Sequence, residues 1–195
     1  NDADLHVLTS AIQYEGSVYS YIDGGYWVHH TPNTSKSFVW RVGKNGDYRP
    51  VTMNGFTKTT TTDESYFAEF INSAYTLGTS LPSTTKNISV LNHWFVDYSG
   101  GGSGDFNLSF TYDTVGNDDH VYEASTLQIL RNAGSAAWSM VKQGGSGNRK
   151  GSISTGVTSS LGYFALGNKN GTSTQLGGVN ALGSTDPFVR FEVVS

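Results

Sequence analysis

The segment YDTVGNDDHVYE gathers Asp113, Asp118, Asp119 and Glu123 around one turn. Carboxylates are the hard oxygen ligands that calcium takes, so these residues are the candidate metal ligands of the chain. Their spacing matches no EF-hand loop, and the competing reading is a solvated acidic turn. His120 within the segment adds little, because softer divalent ions need two or more converging imidazoles. His29 and His30 are adjacent on an extended segment and must point to opposite faces, so they cannot chelate one ion.

Other chemistry is easier to exclude. The run GGGSG at 100–104 is not followed by Lys-Ser or Lys-Thr, and a strand rather than a helix comes after it, so it is no phosphate cradle. The same letters contain Gly-Ser-Gly, but the strand-to-helix elbow of a serine hydrolase is missing. With patterned strands on both sides, the run reads as the loop of a hairpin. Glu69, Asp97 and Glu123 could meet in space as the paired carboxylates of a glycosidase, although nothing in their spacing measures a separation. Tyr19, Tyr21 and Trp27 are the candidate aromatic platform for stacking on sugar rings. For each tryptophan, Trp40, Trp94 and Trp138 included, burial in the core is the competing reading.

The bulk properties narrow the partners. In 195 residues the formal net charge is −4 and the 12 Lys and Arg are scattered, so there is no positive field for nucleic acid. The chain has no cysteine, which excludes a disulfide framework and thiolate metal sites. No apolar run approaches the roughly 20 residues of a membrane-spanning helix. The first residue is Asn1 and no leader precedes it, from which an exported, extracellular or cell-surface product is expected. Asn33-Thr34-Ser35, Asn87-Ile88-Ser89, Asn107-Leu108-Ser109 and Asn170-Gly171-Thr172 fit the glycosylation acceptor pattern, as composition alone would produce in a chain so rich in Asn, Ser and Thr.

The elements that must position these residues are strands. With 24 glycines, 13% aromatic and 14% charged residues, the chain reads as short extended segments joined by tight turns. Residues 17–23 and 26–30 suggest a hairpin around Gly24-Gly25, and 35–43 one continuous strand. Asn45-Gly46 is a strong hairpin turn, and Pro50 suggests an edge strand. Residues 64–77 read as a strand despite some helix-like spacing. Phe106, Leu108, Phe110 and Tyr112 alternate strictly, the signature of a half-buried strand. Further strands follow at 126–131, 137–143, 151–157, 162–168 and 188–195, the last after a loop of roughly 20 residues, long enough to be functional. The fold class expected is all-β, an antiparallel β-sandwich, jelly-roll-like or of two small packed sheets, in one domain over 1–195 with a weak sub-boundary near 80–86.

Several motifs occur in a set order: Tyr21-Ile22-Asp23-Gly24, Val42-Gly43-Lys44 with Tyr48-Arg49-Pro50-Val51, and His93-Trp94. Leu108 to Asp113, Leu127 to Arg131, Trp138 and Tyr163-Phe164-Ala165-Leu166-Gly167 complete the series. In this order they resemble a β-sandwich module of secreted and cell-surface, adhesin-like, type IX-secreted proteins of the Bacteroidota. Asp186 to Phe191 looks like the strand that leads into a further domain or a secretion signal. The resemblance implies an exported, non-catalytic sandwich and transfers no catalytic residue.

The expected function is therefore a non-catalytic extracellular structural or adhesive module. It could self-associate through a C-terminal strand presenting Phe188, Val189, Phe191 and Val193 to a neighbouring edge. The alternative is a carbohydrate-binding module with a structural calcium site. Copies of itself or surface glycans are the expected partners.

Overall fold

A computed structural model describes residues 5–8, 16–17, 19–30, 36–56, 64–73, 80–99, 105–113, 124–144 and 150–169. The protein is almost entirely β, with one three-residue 3-10 turn, Ala124–Thr126, as the only helical element among the described residues. The strands are β1 (Leu5–Leu8), β2 (Ile22–Asp23), β3 (Tyr26–His30), β4 (Lys36–Trp40), β5 (Val42–Lys44), β6 (Asp47–Tyr48), β7 (Val51–Phe56), β8 (Glu64–Asn72), β9 (Asn87–Ser99), β10 (Phe106–Asp113), β11 (Leu127–Asn132), β12 (Ser139–Gln143), β13 (Lys150–Thr158) and β14 (Gly162–Asn168).

They form three sheets. The largest has seven strands in the order β1-β3-β8-β9-β14-β11-β12, the second has four in the order β13-β10-β7-β4, and a small ribbon runs β2-β5-β6. The pairings are antiparallel except β1 with β3 and β2 with β5, which are parallel.

Alternation decides which face of each strand is buried. In β10, Phe106, Leu108, Phe110 and Tyr112 are all buried, as the sequence predicts. They face Tyr66, Ala68 and Phe70 of β8, Trp94 and Val96 of β9, and Phe164 and Leu166 of β14 in one continuous core. Phe110 lies 5.0 Å from Trp94 and 5.1 Å from Phe164, ring centre to ring centre, so one side chain of the four-stranded sheet wedges between two strands of the larger one. Phe38 on β4 reaches Tyr66 on β8 at 6.1 Å. Such tilted ring contacts contribute about 0.5–1.5 kcal/mol each beyond the area they bury.

The Asn45-Gly46 turn is present as predicted. Asn45 has φ 55° and Gly46 φ 85°, both left-handed, and Lys44 pairs with Asp47 across the turn. This matches the type I′ geometry that right-twisted strands prefer. Residues 64–72 form strand β8 rather than a helix.

Four local expectations are corrected. The strands either side of GGGSG do not form a hairpin, since β9 belongs to the seven-stranded sheet and β10 to the four-stranded one. Residues 100–104 themselves lie outside the described residues. Both flanks do carry the pattern of a half-buried strand, but alternation reveals a buried face and not a hydrogen-bonding neighbour. Likewise β2 and β3, on either side of Gly24-Gly25, lie in different sheets. The run at 35–43 breaks at Arg41, whose carbonyl accepts from the Ile22 N–H, and β4 and β5 part into separate sheets. Pro50 marks no edge: β7 is an interior strand, and Pro50 sits just before its first residue, where a missing N–H costs the ladder nothing.

Arg49 occupies the joint of the three sheets. It follows β6, its N–H donates to the Val42 carbonyl, and its guanidinium is ion-paired with Asp47 at 3.0 Å, both side chains being buried. Its carbonyl accepts the indole N–H of Trp94 from the large sheet at 3.0 Å. One further bond ties the ribbon to the large sheet, from Asn45 to Asn72 at 3.3 Å, and within that sheet Asn72 donates to Asn92 at 2.6 Å.

The segment 80–86, where the sequence suggests a weak boundary, is bonded to the second half of the chain. Ser80 makes a parallel bridge with Ala137, the Trp138 N–H donates to the Ser80 carbonyl, and the Lys86 N–H donates to Asn168. Leu81 packs against a second buried cluster of Ile88, Leu130, Trp138 and Ala165 on the face of the large sheet that points away from the main core.

Replacing Arg49 by Met leaves Asp47 buried without its cation and is expected to cost about 3–5 kcal/mol in urea unfolding. The double variant Arg49→Met, Asp47→Ala should recover a large part of that loss. A double variant as unstable as the single one would refute the ion pair's role.

Candidate functional site

The large sheet has one face in the core, and its other face carries the side chains that could meet a ligand. In β8 and β9 the inward residues are Tyr66, Ala68, Phe70, Trp94 and Val96. Phe67, Glu69, Ile71, His93, Phe95 and Asp97 therefore lie on the opposite face. The register sets Phe67 against Asp97, Glu69 against Phe95 and Ile71 against His93. On β14, Tyr163 is the partner of Phe95, and on β3, Trp27 is the partner of Phe67.

These positions make a diagonal aromatic stripe over neighbouring strands. Phe67 and Phe95 are 5.9 Å apart and Phe95 and Tyr163 are 4.6 Å apart, centre to centre. Phe67 is buried, while Phe95 and Tyr163 keep part of their surface in solvent. Two carboxylates border the stripe. Glu69 is half-buried and Asp97 exposed, and as diagonal neighbours on adjacent antiparallel strands their backbones lie about 7–8 Å apart. Asp97 Oδ1 accepts the Tyr98 N–H at 2.8 Å, which orients the carboxylate beside the rings.

His93 sits beside this stripe, 6.2 Å from Tyr163, and is only 2% exposed. Burial lowers its pKa from 6.5 to about 4, and a hydrogen bond to the Leu91 carbonyl opposes the shift weakly. Because a carbonyl only accepts, Nδ1 must carry the proton of the neutral ring, in a contact of 3.2 Å. At neutral pH the histidine is thus uncharged beside the stripe.

The residues singled out in the sequence are distributed differently. Tyr19 is 95% exposed on a turn closed by the Ser17 to Ser20 bridge. Tyr21 is half-buried; its hydroxyl accepts the Gly46 N–H at 2.6 Å, and its ring covers Gly43, where a Cβ would meet it at 2.7 Å. Tyr21 thus braces the ribbon. Trp27 stands in the large sheet, so the proposed trio is divided between two parts of the fold. Trp40, Trp94 and Trp138 are core residues. Of the acidic turn, Asp113 ends β10, while Asp118, Asp119 and Glu123 lie outside the described residues, as do Phe188, Val189, Phe191 and Val193. Among the described residues no three His, Cys, Asp or Glu side chains converge as metal ligands. No helix among them is long and apolar enough to cross a membrane.

Glu69 and Asp97, named from the sequence with Glu123 as carboxylates that could pair as in a glycosidase, are brought onto one face, while Glu123 lies outside the described residues. Phe67, Phe95 and Tyr163 were missed. The odd-numbered positions of β8 and β9 alternate as regularly as the even ones, but both sets are aromatic, and alternation cannot say which faces the core. The residues of the sequence motifs are mostly fold-holding: Arg49 and Trp94 at the joint, Trp138 in the second cluster, and Arg131, whose Nε donates to the Leu161 carbonyl at 2.7 Å. No family model, curated protein or solved structure matches the chain.

The lowered pKa of His93 has a consequence for stability. Between about pH 6.5 and 4 the unfolded chain binds a proton at this residue that the folded chain refuses. Stability should therefore fall as pH drops through that window, by about 3 kcal/mol from this residue alone at 1.36 kcal/mol per pKa unit. Urea unfolding of the protein and of His93→Leu should show this component vanish in the variant. An unchanged pH slope would refute it.

Proposed function

We propose that this protein is a non-catalytic extracellular adhesive module that holds carbohydrate against the outer face of its seven-stranded sheet. The observation that carries the reading is the Phe67, Phe95, Tyr163 stripe, whose rings touch in sequence across three adjacent strands beside Glu69 and Asp97. Sugar rings present apolar C–H faces and a rim of hydroxyls. Half-exposed aromatic rings complement the former, and carboxylates accept hydrogen bonds from the latter.

A rigid antiparallel sheet suits this task, since side chains fixed by register pay little entropy on binding. Two negative groups on the face favour neutral or amino sugars over acidic ones. The motif residues Arg49 and Trp94 contribute by joining the sheets behind this face. Calcium at 113–123 belongs to this reading as a structural aid.

A glycan array and a polysaccharide pull-down test the proposal, each with and without chelator. Retention of a neutral or amino-sugar polymer is expected, with Phe95→Ala and Tyr163→Ala each raising Kd by about five- to thirtyfold, or 1–2 kcal/mol, at unchanged fold. Absence of binding to every glycan would overturn it. Release of soluble sugar from a retained polymer, lost in Glu69→Gln or Asp97→Asn, would overturn the non-catalytic part alone.

A further inference from the structure

The chain has two methionines and no cysteine, so its thioethers are its only readily oxidised sulfur. They are in opposite situations. Met53 on β7 is fully buried in the main core, while Met140 on the edge strand β12 is 43% exposed. The Met140 sulfur also has two defined neighbours. Gln128 Nε2 donates to it at 3.0 Å from a fully buried side chain, whose own oxygen accepts from Thr85 at 2.8 Å. Thr84 Oγ1 approaches at 4.0 Å from the exposed turn of the 80–86 segment.

We propose that Met140 is a stereoselective oxidation site for small hydroperoxides. A thioether sulfur has two lone pairs, and oxygen added to one or the other gives opposite sulfoxide epimers. The amide of Gln128 engages one lone pair at close range and is itself locked by Thr85. The other faces solvent and the looser Thr84 contact. A hydroperoxide reaches the second: its O–O bond breaks, its terminal oxygen forms the S–O bond, and that oxygen's proton passes to the remainder, which leaves as alcohol or water. Sulfur loses two electrons and the peroxide gains them, so the step balances.

The product has a local consequence. The new oxygen is a far better acceptor than sulfur, and Thr84 is the nearest donor to it. A long contact at the turn thus becomes a proper hydrogen bond that fastens the 80–86 segment to the edge strand. Reversal would be stereospecific as well, because the two classes of methionine sulfoxide reductase each accept one epimer.

The experiment treats the folded chain with limiting hydrogen peroxide, digests it, and separates the Met140 sulfoxide diastereomers by chromatography and mass spectrometry. Met53 should remain unmodified at a dose that oxidises half of Met140. The epimer ratio should be about five to one, the factor corresponding to one hydrogen bond of about 1 kcal/mol. It should fall to about one to one when oxidation is done in urea, and also in folded Gln128→Leu, while Thr84→Val keeps the bias. Equal epimers in the folded wild type, or a bias that survives in folded Gln128→Leu, would overturn the assignment. Should that variant not fold, the folded-versus-urea comparison decides by itself.

Discussion

The buried hydrogen bond from the Trp94 indole to the Arg49 carbonyl ties the seven-stranded sheet to the chain between the other two sheets. Trp94 belongs to the middle of the seven-stranded sheet, and Arg49 lies where the chain leaves the ribbon for the four-stranded sheet. Van der Waals packing between sheets is tolerant of sliding, whereas a buried donor and acceptor have one satisfactory arrangement. The bond therefore sets the register of the sheets across the core. The Asp47–Arg49 ion pair holds the acceptor in place, and Trp94 in turn sets the ring against which Phe110 packs.

The two faces of the large sheet then acquire different duties. The inner face gives core residues from β3, β8, β9, β14 and β11. The outer face is divided: the 80–86 segment and Trp138 seal the part around Ile88, Leu130 and Ala165, and the aromatic stripe with its two carboxylates occupies the neighbouring part. Tyr163 touches both regions, packing on the sealed cluster and against Phe95. A rigid boundary of this kind keeps the half-exposed rings from collapsing into the sealed region, which is what an aromatic binding surface requires.

Motif residues and candidate site residues prove to be largely different sets. Tyr21, Arg49, Trp94, Arg131 and Trp138 all belong to the sequence motifs, and each has a structural post. Of the stripe residues Tyr163 belongs to a motif, whereas Phe67 and Phe95 are single aromatics in strands that hold several. Distinctiveness in a chain of this composition reflects the demands of sheet joints, where a buried polar group must find its partner.

Composition and alternation determined the all-β class, the half-buried strand β10, the extended character of 64–72 and the Asn45-Gly46 turn, because each depends on local sterics or on a period of two. Sheet membership was decided only in three dimensions. The strands flanking GGGSG, and those flanking Gly24-Gly25, look like hairpins locally yet enter different sheets, since a period of two marks a buried face and leaves the hydrogen-bonding neighbour open. The same ambiguity hid the candidate site. Phe67 and Phe95 became outward residues only when Tyr66, Phe70 and Trp94 met Phe38 and Phe110 across the core, a choice made by contacts between distant segments and by no residue alone.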